Sequence, residues 1–255
     1  MKSQIWTRRQ MLLRGSAAFG GLMLGGCDRL SQSPSFQSLL SSAERLTYRA
    51  QRLVVGQSLA REFTEADLSP VFRSNGTSNP NNEVYNRLRA NHFEDWRLTV
   101  RGLVDRPLEL SLAALRGMPS RTQITRHDCV EGWSAIGKWT GVPLGNVLNM
   151  AQLSPDARFV VLYCVDELER NDGGYYESID LVDAFHPQTL LAYALNDKPL
   201  AIANGAPLRL RVERQLGYKQ AKYLMRIEAV ARLDGIAGGK GGYWEDRGYE
   251  WYAGI

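Results

Sequence analysis

Apolar residues recur at helical spacing from Phe36 to Val54, through Leu39, Leu40, Ala43, Leu46, Ala50 and Leu53. Side chains three and four apart share a helix face, so this pattern predicts an amphipathic helix that Gly56 can stop. Arg45, Arg49 and Arg52 fall off the stripe and read as a solvated face. Residues 69–92 contain S-P-V-F-R-S-N-G-T-S-N-P-N-N and show no period, which predicts a long loop. Trp96 to Arg101 alternates as a half-buried strand, with Asp105-Arg106-Pro107 as a turn. Ser111 is placed to cap a short helix through Arg116. Pro143 suits the first turn of another, with Leu144, Val147, Leu148 and Ala151 on one face. Arg158 to Asp166 predicts a buried strand, and residues 180–196 one or two short helices around His186-Pro187. Leu208, Leu210 and Val212 alternate with Arg209, Arg211 and Glu213, a further strand, and residues 222–233 predict another. From Gly235 the chain is rich in glycine and aromatics and is expected to wrap the surface. There is no internal repeat, and the mixture reads as α+β rather than regular βαβ alternation.

Residues 1–26 stand apart from this pattern. Arg8-Arg9 precedes a weakly apolar run that ends Leu24-Gly25-Gly26-Cys27. That run is shorter than the roughly 20 apolar residues a membrane span takes. It has the charged start and short apolar middle of an export signal. T-R-R-Q-M-L resembles a twin-arginine signal, which exports folded proteins, and L-G-G-C resembles a lipoprotein box that would lipidate Cys27. The expectation is a protein on the periplasmic face of a bacterial membrane, with residues 27–35 as a Ser-rich tether, 36–67 as an N-terminal helical segment and 68–255 as the main domain. The leader also explains the charge. The chain has 31 Lys and Arg against 27 Asp and Glu; removing Lys2, Arg8, Arg9 and Arg14 leaves 27 bases against 27 acids. A near-neutral mature chain gives no reason to expect nucleic acid.

The candidate chemistry centres on T-R-H-D-C-V-E-G-W-S, residues 125–134. Cys129 and Cys164 could form a disulfide in an oxidising compartment, or Cys129 could be a functional thiol. Zinc is disfavoured, because the chain has only His92, His127 and His186 and no Cys-x-x-Cys. His127 reads as a supporting or surface group rather than a base for a nucleophile. One thiolate also suffices for a metal whose other ligands come from a cofactor.

Several blocks then fall in order: C-V-E-G-W-S, W-T-G-V-P-L, H-P-Q-T-L-L-A-Y-A-L-N-D-K-P-L, N-G-A-P-L-R-L-R-V and L-G-Y-K-Q-A-K-Y-L-M-R-I. Together, over roughly residues 68–233, they resemble the sulfite-oxidase family of molybdopterin enzymes. The likeness is greatest to the bacterial periplasmic branch that includes the methionine-sulfoxide reductase catalytic subunit. The resemblance implies a sulfite-oxidase-type molybdopterin-binding fold of mixed sheets and short helices, here without the C-terminal dimerisation domain of animal and plant members. It implies Mo-molybdopterin as cofactor and Cys129 as the thiolate on molybdenum. It also implies cofactor contacts from Asn75 in F-R-S-N-G, from Cys164 through its backbone, from Asn204 and Arg209 in N-G-A-P-L-R, and from Gln220, Ala221 and Lys222 in K-Q-A-K. His186 matches a family position and reads equally as a helix buttress.

The pattern departs from sulfite oxidases at the arginines that hold their anion. Ser74 stands at one such position, and no base follows Cys129 before Lys138. Glu131 near the metal would repel sulfite. The expected reaction is therefore two-electron oxygen-atom transfer of the sulfoxide-reductase kind. Sulfite-type oxidation, or an envelope lipoprotein that kept the fold without catalysis, are the alternatives. Without a haem motif C-x-x-C-H, electrons are expected from a separate membrane partner.

Overall fold

The structure is a computed structural model and describes residues 33–55, 58–168 and 174–255. The expected export leader, Cys27, most of the expected tether and Gly56 lie outside the described residues. The chain divides into two compact units, Met1–Gly56 and Gln57–Ile255.

In the first unit, helix α1 spans Pro34–Val55, starting two residues before the expected apolar stripe. Leu39, Leu40, Leu46 and Leu53 of that stripe are exposed. Among the described residues no helix is long and apolar enough to cross a membrane.

The second unit holds two five-stranded sheets. The first contains β1 (Arg97–Gly102), β2 (Leu108–Ser111), β5 (Phe159–Cys164), β6 (Tyr176–Asp180) and β10 (Leu224–Val230), in the order β2-β1-β10-β5-β6. β1 and β10 run parallel, with Thr99 opposite Arg226; the other pairs are antiparallel. The second contains β3 (Arg121–Asp128), β4 (Ser134–Pro143), β7 (Leu190–Leu195), β8 (Lys198–Pro199) and β9 (Arg209–Arg211), with β3-β4-β7-β8 in a row and β9 also on β7. Short helices connect them: α2 (Glu83–Ala90), α3 (Leu112–Arg116), α4 (Leu144–Ala151) and α5 (Leu181–Ala184). This is the mixed α+β fold the sequence implies. The main core joins Trp96, Leu98 and Val100 of β1 with Leu144, Val147 and Leu148 of α4 and Val160 to Leu162 of β5, all buried. Burial of apolar surface on this scale is the main force closing the domain.

Several local expectations hold. Ser111 Oγ accepts from the Ala114 N–H at 3.0 Å, which caps α3. α4 buries the four residues read as its apolar face. Three expectations need correction. The supposed loop 69–92 contains α2, because Asn82 caps it through the Tyr85 N–H at 2.8 Å and Tyr85 and Leu88 supply a buried face. Residues 180–196 hold only one short helix; Leu190–Leu195 pairs with β4 and β9 as a central strand. The strand read from Leu208 to Glu213 narrows to Arg209–Arg211, and both arginines are fully buried against the ring of Trp139, at 5.1 and 4.3 Å. Stacking on an aromatic face and ion pairing replace water around a guanidinium.

Candidate active site

The β3–β4 hairpin presents Cys129 on a tight connection. Its N–H donates to the Trp133 carbonyl at 2.9 Å, and the Gly132 N–H returns to the Cys129 carbonyl at 3.0 Å. Gly132 adopts φ +85°, where a side chain is strained, although a Cβ there would touch nothing. The loop thus needs glycine for its turn and leaves open space beside the sulfur. Cys129 and Cys164 are both free thiols, so the disulfide alternative is not realised. Burial pushes the Cys129 thiol above its ordinary pKa, offset in part by the Glu131 and Val130 N–H groups. A metal at the sulfur would reverse that preference, because a coordinated thiol loses its proton.

Cys129 opens into a cavity of about 270 Å³, which Asn75, Gln220 and Lys222 also line. Lys222 is the hub of the opposite wall. Its Nζ donates to the carbonyls of Asn75 at 2.6 Å and Ala203 at 3.1 Å, to that of Thr77, and to Ser74 Oγ at 3.3 Å. One cation therefore ties the 74–77 loop to the turn before Asn204. Burial and the neighbouring Arg209 push Lys222 down to about 7.

The remaining expected residues stand back from the cavity. Arg209 donates to the carbonyls of Asn204 at 3.1 Å and Gln220 at 3.2 Å, and so sets the backbone on both sides of Lys222. Burial, then Arg211, push it down to about 9. Ala221 faces the core, and its carbonyl accepts from the Leu210 N–H at 2.8 Å, so Gln220 and Lys222 flank it toward the cavity. Cys164 ends β5, its N–H on the Tyr175 carbonyl at 2.9 Å, and burial pushes its thiol well up. His186 is remote, with Nε2 at 3.2 Å from the Ser58 carbonyl, which fits the buttress reading. His127 is fully buried rather than at the surface. Its Nδ1 sits 2.9 Å from Arg211 Nη1, and Arg211 is paired with Glu213. A guanidinium only donates, so Nδ1 carries the lone pair and Nε2 the hydrogen.

Sequence reading missed most of the cavity lining, including Asp166, Tyr175, Tyr218, Trp244 and Tyr249. The last two belong to the tail from Gly235, whose density of aromatics was the only signal.

The lining suits a bound group that brings its own metal ligands rather than a bare ion. Among the described residues no group of three His, Cys, Asp or Glu could hold a metal, so a metal at Cys129 needs its other ligands from a bound group. The Gln220 side chain pairs with His127, whereas Arg209 Nε is buried without a partner behind the Gln220 wall. Buried polar atoms of this kind call for a ligand, since leaving them unpaired is destabilising.

Comparison with known proteins decides the identity. The model of the oxidoreductase molybdopterin binding domain family matches residues 85–234. The chain belongs to this family. It is 34% identical over 251 residues to a putative protein-methionine-sulfoxide reductase subunit of Azospira oryzae, covering 96% of this chain and 87% of that one. It is 30% identical over 239 residues to the protein-methionine-sulfoxide reductase catalytic subunit of Xanthomonas axonopodis pv. citri, covering 90% and 72%. Among solved structures, the sulfane dehydrogenase SoxCD of Paracoccus pantotrophus aligns with TM-score 0.50 at 22% identity, over 55% of this chain and 39% of that one; this likeness concerns the fold alone. The protein is thus a molybdopterin-dependent oxidoreductase with Mo-molybdopterin as its cofactor.

Proposed function

We propose that this enzyme reduces sulfoxides by two-electron oxygen-atom transfer, with Cys129 as the single protein ligand of molybdenum. The cofactor supplies the redox chemistry when bound. Lys222 holds the 74–77 loop in the wall around the cofactor, with Gln220 and Asn75 as hydrogen-bonding partners there. Arg209, Asn204, Ala221 and Cys164 hold the surrounding backbone in place.

The observation that carries the substrate reading is the charge around the sulfur. Among the described residues lining the cavity, Glu131 and Asp166 are carboxylates and Lys222 is the only cation, already engaged by loop carbonyls. An inorganic oxyanion gains nothing there, whereas a neutral sulfoxide loses nothing to the field. The two relatives named as methionine-sulfoxide reductase subunits support the same substrate class. The envelope-lipoprotein alternative loses its support with the free Cys129 and Cys164 thiols.

The localisation proposed with this reading is the periplasmic face of the membrane. Arg8-Arg9 and Leu24 to Cys27 support twin-arginine export and lipid anchoring, and the electron donor is a separate membrane protein.

The test is expression with the leader in a molybdenum-competent bacterium. Purified protein should carry near-stoichiometric molybdenum and oxidise a reduced dye with methyl sulfoxides. Cys129→Ser should change the molybdenum coordination spectrum and abolish turnover. Sulfite-dependent dye reduction without sulfoxide turnover would overturn the substrate reading, and an unchanged spectrum in the variant would clear Cys129 of ligation.

A further inference from the structure

The cavity wall carries two kinds of chemistry. Cys129, Glu131 and Lys222 line it with polar groups, and Tyr218, Trp244 and Tyr249 add an aromatic patch. The three rings are in direct contact. Tyr218 meets Tyr249 edge-on at 5.1 Å between centroids, and Tyr249 lies 5.2 Å from Trp244 at an interplanar angle of 30°. Two of the three come from beyond residue 234, where the family match ends.

The local chain geometry explains how they converge. Glu245–Arg247 forms a single turn closed by Gly248 at φ +103°, and the Tyr249 N–H returns to the Trp244 carbonyl at 3.0 Å. That closure brings Trp244 and Tyr249 to the same side. The turn at Gly217–Lys219 sends Tyr218 and Gln220 into the cavity and Lys219 the other way. Lys219, fully buried, hydrogen-bonds both Glu177 of β6 and Glu245 of the tail. The Tyr218 hydroxyl donates to the Glu250 carbonyl at 2.7 Å, and Trp251 Nε1 donates to Ser178 Oγ at 2.8 Å. The aromatic patch is therefore built in advance and fastened at several points, as a binding wall should be.

We propose that Trp244, Tyr249 and Tyr218 form the subsite for the carbon substituents on the substrate's sulfur, and that the tail sets specificity for organic sulfoxides. The proposal rests on the sulfoxide reading above. Aromatic rings receive methyl and methylene groups by apolar burial and make favourable contacts with sulfur. A sulfoxide has one polar oxygen and two apolar arms, which matches a wall that is both polar and aromatic. An inorganic oxyanion has no group that uses the aromatic patch.

Calorimetric titration of the molybdenum-loaded enzyme with methyl p-tolyl sulfide, the product-type ligand, reads the subsite without turnover. Trp244→Ala and Tyr249→Leu should each raise the sulfide Kd about tenfold, which is about 1.4 kcal/mol. Trp244→Phe, which keeps a ring, should stay near wild type, and molybdenum content should not change. Tyr249 is 39% exposed, so its replacement leaves the fold intact even where Trp244→Ala does not. With turnover, KM for methyl p-tolyl sulfoxide should rise in both variants more than KM for dimethyl sulfoxide. Wild-type binding in fully loaded Tyr249→Leu, or no sulfide binding by the wild type, would overturn the proposal. Sulfide binding weakened as expected, in an enzyme that turns over no sulfoxide, would sustain the subsite and refute the proposed reaction.

Discussion

Lys222 sits where a positive charge is disfavoured, and its behaviour with pH follows from that. Its ordinary value is 10.5, and in the folded protein it lies at about 7. Between those values the unfolded chain binds a proton that the folded chain has released. Stability contributed by this residue therefore rises with pH across that window and is level below it. In metal-free protein, wild type should gain melting temperature relative to Lys222→Met from about pH 7 to about pH 10. A level difference would mean that Lys222 stays charged throughout. Single residues were the least legible part of the sequence. Lys222, Arg209 and Gln220 came forward only through the ordered blocks, since alternation on β9 makes Arg209 and Arg211 look wet. Alternation reports which residues share a face, not whether a Trp139 ring and a Glu213 carboxylate have replaced water on it. His127 escaped for the same reason.

At the scale of elements, the turn at 217–219 and the tail turn at 245–247 are joined by one ammonium between two carboxylates. All three groups are buried, and burial pushes Glu177 well above its ordinary 4.5. Lys219→Met leaves the two carboxylates without their cation and should cost about 3–5 kcal/mol, read by urea denaturation. A loss under about 1 kcal/mol would show that the tail is held by its other contacts. A carboxyl with a raised folded value contributes stability below its unfolded value and loses it as pH rises through the folded one. Glu177→Gln, which cannot ionise, should therefore gain on wild type as pH climbs above the ordinary carboxylate range. Thermal melts at successive pH values would show this, and parallel curves would place the negative charge elsewhere. Elements with a local signature were legible: α3 through its Ser111 cap, α4 through its four-residue face. The β3–β4 hairpin and β7 were not. Their identity comes from partners distant in sequence, such as Leu190 with Arg211 and Gln123 with Trp139, and no local period encodes a partner.

For the whole molecule, the family resemblance carried most of what could be read, because it compresses exactly the long-range pairings that local patterns omit. It implied the fold class and the cofactor, and of the site residues it named the cavity brings Cys129 together with Asn75, Gln220 and Lys222. It could not give the aromatic patch, which lies past the matched region. The strand order β2-β1-β10-β5-β6 has a further consequence, in the time domain. The middle strand of the first sheet is the last to be synthesised. Until residues 224–230 leave the ribosome, β1–β2 and β5–β6 are two separate ribbons with nothing between them. Closing a sheet across such a sequence separation is slow, and the exposed ribbon edges invite wrong partners meanwhile. A chain truncated before Leu224 should show no cooperative unfolding transition, whereas one ending after Val230 should regain it. The nascent chain is thus committed to its native form only near the end of translation, and β10 is the step that commits it.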